Sequence, residues 1–421
     1  MTNDDHNEEK LDAIETIKKK LTGKELNYDE ILNLMDSIAK KRLGTILETY
    51  FAAAGFSEGF TDEELFYLTK AMVETGNKLK FSGIVADKHS IGGLAGTRTT
   101  LIVVPIIAAA GFKIPKISSR AITTPAGTAD VMECLCRVTF EKEQVEKMVN
   151  EIGGCIIWND KMGIAPADDE LIRIEAPIGI ESYDKFIVSI MAKKIAAGAT
   201  HLVLDIPVGP TMKIRHEKDV KVVVEKFQMI ADKFGIKLDP YVNQAKEPAG
   251  AGIGPFLEAF DSIQVLEQLP NRAFKLEEKA IQLAGRLLNL CYKDAHVKKD
   301  GFDEAKKILQ SGEALKKFRQ IVQAQGGRYD VSSLGLLDPM QSRPLLSDRS
   351  GIVTDVNNYH INTLAKILGA PKDKQAGIYI LKKIGEPITK GEPLANLYAH
   401  DTYHIREAIE TAKDFPLFEI K

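Results

Sequence analysis

The sequence predicts an α/β protein with α+β parts, and three observations lead to that class. Residues from about Leu11 to Lys80 carry helical periodicity and no strand signal. From about residue 83 to residue 206, short apolar runs alternate with helical stretches across glycine-containing turns. Ala376–Tyr398 then alternates apolar and polar residues around two glycine turns. These regions read as a helical start, a central α/β layer with a mixed or largely parallel sheet, and a small β-rich C-terminal unit. A chain of 421 residues exceeds one typical core, so two or three structural units are expected.

In the helical start, Ile14, Ile17 and Leu21, then Ile31, Leu34, Met35 and Ile38, recur at three- and four-residue spacings. Tyr28-Asp29 precedes the second run, and Thr61-Asp62-Glu63-Glu64 opens a further helix with acidic residues in its first turn. Gly83–Ala86 reads as a short apolar run and Thr99–Ala110 as an apolar helix. Lys116–Ile122 leads into a loop of small residues, and Val131–Cys136 resumes an apolar element. Cys155–Trp158 and His201–Ile206 read as buried strands, with Asp184–Gly198 as a glycine-closed helix between them. Asp239–Pro255 is rich in Gly and Pro. Helices are predicted over Phe256–Leu269, Leu276–Cys291 and Phe302–Gln323.

Hydrophobic residues at 44% and charged residues at 27% fit an ordinary soluble globular protein. A formal charge of −3 and a pI near 6.3 give no bulk attraction to a nucleic acid polymer or an anionic membrane. Any phosphate binding must therefore come from local loops. The cysteines Cys134, Cys136, Cys155 and Cys291 form no CxxC pair, and no second Cys/His pair supports Cys134-x-Cys136 as a zinc site. They read as small buried apolar residues, so no metal is expected. The opening MTNDDHNEEK is unlike a targeting peptide, and the longest apolar stretch, Leu101–Phe112, is too short to span a bilayer. A cytoplasmic location is expected.

Three segments carry candidate chemistry. Lys88–Thr100 lies between an expected strand and an expected helix, where glycine N–H groups and a helix start favour an anion. Lys88 supplies a charge, and Ser90 and Thr99 supply hydroxyls. The segment is neither a Walker loop nor a dinucleotide fingerprint, and spacing alone leaves an anion site and a structural turn both open. Ser118–Asp130 gathers five hydroxyl residues and Arg120, which reads as a phosphate oxygen shell or as a Ser/Thr-rich surface loop. Ser189 and Lys193, four apart, share one helical face that either holds the carbonyl edge of a base or is simply solvated. Pro207–Lys213 places Lys213 at the end of a strand, or is only a rigid loop.

Together these segments resemble the pyrimidine-nucleoside phosphorylase superfamily. The matches are KHSIGG at 88–93, SSRAITTPAGTAD at 118–130, SIMAKK at 189–194, DIPVGPTMK at 205–213, and PAGAGIGP with LEAFDS at 248–262. The C-terminal GAPKDKQAGIYI and KGEPLANLY match as well, so the resemblance runs from roughly residue 11 to the end. Thymidine phosphorylases resemble KHSTGG and SGRGLGHTGGT at the two loops. The SSRAITTPAGT found here is similar to the AMP (nucleoside 5′-monophosphate) phosphorylases, and Ser119, Thr123 and Thr124 add donors that a 5′-phosphate could use.

The resemblance implies a pentosyltransferase that splits AMP, CMP or UMP with inorganic phosphate into ribose 1,5-bisphosphate and free base. The alternative is a thymidine or pyrimidine nucleoside phosphorylase giving (deoxy)ribose 1-phosphate, and a remote one is a non-catalytic nucleotide-binding relative. By motif position it assigns phosphate to Lys88, Ser90, Gly93, Thr99, Ser118 and Thr128. Substrate falls to Ser119, Arg120, Ala121, Ile122, Thr123, Thr124, Ser189, Lys193 and Lys213. His89 and Ser189 are the expected base contacts and Glu181 the expected proton donor, standing where the AMP-phosphorylase pattern has Asp. Phosphate is a co-substrate and no cofactor is implied.

The implied fold is a helical domain from residues 1–82 and 163–198, an α/β phosphate-binding domain from 83–162 and 199–330, and a C-terminal α+β domain from 331–421. The chain starts directly at the helical domain, without the extra N-terminal domain of the archaeal type, so a homodimer is expected. The C-terminal KKIGEPITKGEPL also resembles a biotinyl- or lipoyl-carrier hammerhead, but the Met-Lys-Met-type attachment turn is missing.

Overall fold

The computed structural model describes residues 3–121, 124–175, 177, 182–335 and 341–421, with side chains from residue 10 onward. They form two compact units, one of residues 1–85, 159–201 and 218–238, the other of 86–158, 202–217 and 239–421.

The first unit is helical. It holds α1 (Asn3–Leu21), α2 (Tyr28–Ala39), α3 (Thr45–Glu58), α4 (Asp62–Glu74), α8 (Pro166–Glu175), α9 (Tyr183–Ala196) and most of α10 (Glu217–Lys233). The helix starts read from sequence are built as capping boxes. Asn27 caps α2 reciprocally with Glu30, and Thr61 caps α4 reciprocally with Glu64. Glu64 also receives the buried Lys20 ammonium at 2.8 Å and the Leu26 amide at 3.0 Å, so one carboxylate ties α4 to α1. The stretch 218–238, which the sequence reading places in the α/β domain, clusters with these helices.

The second unit begins with β1 (Ala86–Ser90), α5 (Thr100–Ala109), β2 (Ile114–Ser118), α6 (Thr128–Glu133), α7 (Lys142–Ile152) and β3 (Gly154–Trp158). β4 (His201–Val208) and β5 (Lys237–Gln244) join β1 in a sheet of order β1-β4-β5. β2 and β3 pair in parallel from Ile114↔Gly154 to Ser118↔Trp158. The apolar α5 has residues Thr100 to Ala108 buried, and β4 is buried along its whole length, as expected where helices cover both sheet faces. The Gln325 side chain accepts from Ile156 N–H and donates to Ile156 O and Arg137 O, so it satisfies backbone of β3 that no strand pairs.

Next come β6 (Gly252–Ile253), α11 (Pro255–Leu266), α12 (Phe274–Asp294), α13 (Gly301–Gln310) and α14 (Glu313–Ala324). The C-terminal segment adds β7 (Gln341–Leu346), β8 (Gly351–Val356), α15 (Asn358–Ile367), β9 (Gly377–Ile380), β10 (Pro387–Ile388), β11 (Pro393–Ala399), α16 (Thr402–Asp414) and β12 (Phe418–Ile420). Its two sheets have the orders β6-β9-β11-β7 and β10-β8-β12. Since β6 comes from the PAGAG turn of the α/β segment and pairs antiparallel with β9, the C-terminal segment shares a sheet with that segment.

Three elements differ from the sequence reading. The first strand starts at Ala86 rather than Gly83, because Gly83 takes φ +78° in the bend before it. The helix expected over 302–323 breaks at Ser311-Gly312, where Gly312 adopts a left-handed φ of +81°. β5 falls where Gly and Pro suggested only loop. It is a polar, half-exposed strand, KLDPYVNQ, and lacks the apolar alternation that marks strands.

Candidate active site

Lys88, His89 and Ser90 end β1, and Thr99 precedes α5, so the strand–turn–helix crossover brings both ends of the first loop together. The Lys88 Nζ donates to Thr99 Oγ1 at 2.9 Å, and both residues are buried. Burial pushes the Lys88 ammonium down to about 8. Asp205 and Asp87 work against that fall, while Lys279 and Arg98 add to it. His89 and Ser90 are half-buried at the strand end.

Within the turn Gly92 and Gly93 take φ of +98° and +102°. A Cβ on Gly93 would stand 3.3 Å from Met212 Cα and 3.5 Å from the Lys213 N, so only glycine lets the two loops meet this closely. The half-buried Lys213 is thereby placed beside the first loop. Among the described residues no acceptor meets the N–H groups of Gly92, Gly93 and Leu94, an array of donors of the kind that cradles an anion.

The second loop follows β2. Ser118 Oγ donates to Ile157 O at 2.9 Å, and Ser119 is exposed. Thr124 Oγ1 donates to Ala126 O at 2.9 Å. Buried Asp130 organises the loop by accepting from Ala121 N at 2.7 Å and Gly127 N at 3.0 Å. Burial alone would raise its pKa; the Gly127 amide, Lys374 and the Ala121 amide together hold it below the ordinary carboxylate value. Ile122, Thr123 and Glu181 lie outside the described residues.

Arg120 is placed differently from the sequence expectation of a phosphate fork. Its guanidinium donates to Asp130 at 3.0 Å and to both Glu133 oxygens at 2.6 and 2.7 Å, and it stacks over Trp158 at 4.2 Å. The residue that joins the two loops is Arg98. Its Nε donates to Glu258 Oε2 at 2.8 Å, one terminal nitrogen to Thr128 Oγ1 at 2.9 Å, and the other to Ala126 O at 2.6 Å. The Lys88–Thr99 and Arg98–Thr128 hydrogen bonds are thus made by two adjacent residues of the first loop.

Gly127 sets the curvature of the second loop. A Cβ there would lie 2.3 Å from Arg120 C, 2.5 Å from Ala121 N and 2.5 Å from Ser119 O, all backbone atoms. Gly127→Ala is expected to displace residues 119–121 and to destabilise the fold by about 1–3 kcal/mol. Urea unfolding of the variant against the parent would measure that loss.

In the helical unit, Ser189 and Lys193 on α9 face α8. Ser189 Oγ donates to Asp168 Oδ2 at 2.8 Å, and Lys193 Nζ lies 2.7 Å from Asp168 and 3.0 Å from Asp169. Burial opposes the Lys193 charge, but the facing Asp168 and Asp169 outweigh it and raise its pKa above the ordinary lysine value. Asn159 Nδ2 holds Asp169 at 3.0 Å. The pair expected to offer a free hydroxyl and ammonium is therefore an oriented cluster with two carboxylates. In the sequence, the first turn of α8, Ala167-Asp168-Asp169-Glu170, was its only signal.

Burial pushes the Cys134 and Cys136 thiols up to about 12, well above a reactive range. Among the described residues no group of three or more His, Cys, Asp or Glu side chains is arranged to hold a metal ion. No helix among them is long and apolar enough to cross a membrane.

Comparison with known proteins agrees with this construction. Residues 82–315 match the glycosyl transferase family a/b domain, 14–76 the helical bundle domain of the same family, and 352–415 the pyrimidine nucleoside phosphorylase C-terminal domain. A thymidine phosphorylase-like protein of Legionella pneumophila is 39% identical over 96% of this chain and 77% of its own length. An AMP phosphorylase of Methanococcoides burtonii is 38% identical over 98% of this chain and 81% of its own. The anthranilate phosphoribosyltransferase of Thermus thermophilus shares the fold at a TM-score of 0.60 and 18% identity, over 74% of this chain and 99% of that one.

Proposed function

Because the chain belongs to the glycosyl transferase family, among its nucleoside phosphorylases, we propose that it splits nucleoside 5′-monophosphates with inorganic phosphate. A phosphate oxygen attacks C1′ of the ribose from the face opposite the base. The new C1′–O bond forms as the C1′–N bond breaks, the electron pair leaves with the base, and the base gains a proton. The products are ribose 1,5-bisphosphate and free base.

The observation that carries the phosphorolytic reading is the buried Lys88 ammonium on Thr99, beside Arg98, which bonds Thr128 of the second loop. A buried ammonium at the end of a strand, beside an array of backbone donors, suits a phosphate dianion held for in-line attack. By the resemblance of their motifs, His89, Lys213, Ser189 and Lys193 are read as contacts to the sugar and base, with Glu181 as the donor of the proton.

The nucleotide preference is supported by the exposed Ser119, a hydroxyl that a 5′-phosphate would use. One observation favours a second reading, a pyrimidine nucleoside phosphorylase: the Arg120 guanidinium is already paired with Asp130 and Glu133. The same reading takes the protein as a cytoplasmic homodimer that needs no cofactor.

Phosphorolysis of AMP, CMP, UMP, uridine and thymidine, with the sugar phosphate identified by mass, decides between the two. Ribose 1,5-bisphosphate from at least one monophosphate, at a kcat/KM well above that of any nucleoside, is expected. Faster turnover of thymidine or uridine would establish the second reading. Binding without phosphate-dependent base release would mark a non-catalytic relative.

A further inference from the structure

We propose that Asn358, the first residue of α15 in the C-terminal segment, is a positioning residue for the phosphate loop at 88–100. Asn358 is buried, and its side-chain amide grips the loop from both ends of one short stretch. Its Nδ2 donates to Gly93 O at 2.6 Å, and its Oδ1 accepts from Ala95 N at 3.1 Å. Ala95, fully buried, belongs to the same apolar cluster as Val353, Ile361, Leu364 and Ile378, so the loop is seated in the core of the C-terminal segment.

The consequence for the loop is geometric. A trans peptide points its carbonyl and its N–H in opposite directions. Holding the Gly93 carbonyl toward Asn358 therefore turns the Leu94 N–H away from Asn358 and fixes the Gly93–Leu94 peptide plane. Gly92 and Gly93 supply no rotational restraint of their own, because glycine crosses between positive and negative φ at little cost. Asn358 supplies it through a side chain 265 residues away from Gly93 in the sequence.

A second contact of the same kind reaches the other loop. Lys374 Nζ, also in the C-terminal segment, lies 3.0 Å from Asp130 Oδ1 and 2.9 Å from Glu133, and Asp130 holds the Ala121 and Gly127 amides. The C-terminal segment thus works as a brace for donors that it does not itself carry.

The inference rests on the phosphorolytic reading and is tested with the full chain by substituting Asn358→Ala and Asn358→Asp. Asp keeps the acceptor for Ala95 N–H but sets a carboxylate oxygen against Gly93 O. Both variants should raise the KM for phosphate about tenfold, the scale of a buried hydrogen bond, with kcat at saturating phosphate and the KM for the nucleoside substrate little changed. Titration calorimetry with inorganic phosphate should show the same loss of affinity without any turnover.

The control is Asn357→Ala. It removes the cap that accepts from Tyr359 N and His360 N, each at 3.1 Å, and so weakens the same helix without touching the loop. It should lower thermal stability and leave phosphate affinity unchanged. Equal phosphate affinity in Asn358→Ala and the parent, or an equal loss in Asn357→Ala, overturns the proposal. A parent enzyme that releases no base with phosphate refutes the phosphorolytic reading instead, and calorimetry still decides whether Asn358 positions an anion-binding loop.

Discussion

Lys88→Met is expected to abolish phosphorolysis while leaving the protein at least as stable as the parent. The two effects share one cause. Folding takes the Lys88 ammonium out of water, and its pKa falls from 10.5 to about 8. At neutral pH the group is still charged in both states, so its burial costs about 3 kcal/mol. The sign follows from proton counting. The unfolded chain binds more protons than the native one between about 8 and 10.5, so the parent gains stability as pH rises through that window and carries the full cost below it. A methionine of similar length removes the cost, and urea unfolding at pH 7 and pH 9.5 should show a smaller rise for the variant than for the parent.

A phosphate dianion would offset the same cost by pairing with the ammonium, which couples the stability effect to activity. Removing such a charge is expected to lower kcat/KM for phosphate by on the order of 10³-fold, and phosphate should no longer raise the melting temperature. In the parent, kcat/KM for phosphate should fall above a pH of about 8, where the neutral amine loses its hold. Bound phosphate favours the ammonium, so kcat should persist to higher pH. A Lys88→Met enzyme that kept a tenth of the parent activity would remove Lys88 from the phosphate site.

The sequence made this lysine visible because a strand, a glycine turn and a helix start follow one another within a dozen residues. The glycine loops, the buried strands at Cys155–Trp158 and His201–Ile206 and the helix start at Thr61 are local patterns, and these appear where local chemistry predicts them. What could not be read is which opposite charge meets which. Arg120 looked like a phosphate ligand because its neighbours are hydroxyls. Its actual partners, Asp130 and Glu133, lie one turn apart on a short helix whose approach depends on Gly127. Lys193 looked solvated or free, and its partners Asp168 and Asp169 sit on another helix. Asn358 carried no signal at all, since a single buried amide becomes meaningful only once the chain has brought it to Gly93.

Arg98 is the clearest case of such long-range chemistry, and its removal should have the largest effect on stability. Glu258 is fully buried, and burial raises its pKa while Arg98 pulls it back toward the charged form. Arg98→Met leaves that carboxylate without its guanidinium, so a loss of about 3–5 kcal/mol is expected at neutral pH. The loss should shrink as pH falls, because the orphaned Glu258 then takes up a proton and ceases to be a buried charge. Replacing both partners by apolar residues, as in Arg98→Met with Glu258→Leu, should recover the part of that loss that comes from the orphaned charge. Activity should not return with it. Thr128 Oγ1 and Ala126 O both accept from Arg98, and neither regains a donor when Glu258 is removed. Equilibrium unfolding and kcat/KM, measured around the full double-mutant cycle, separate the two roles. A double variant that recovers phosphorolysis would reduce Arg98 to a counter-ion for Glu258. A single variant that loses less than about 1 kcal/mol would mean that this ion pair does not hold the loops together.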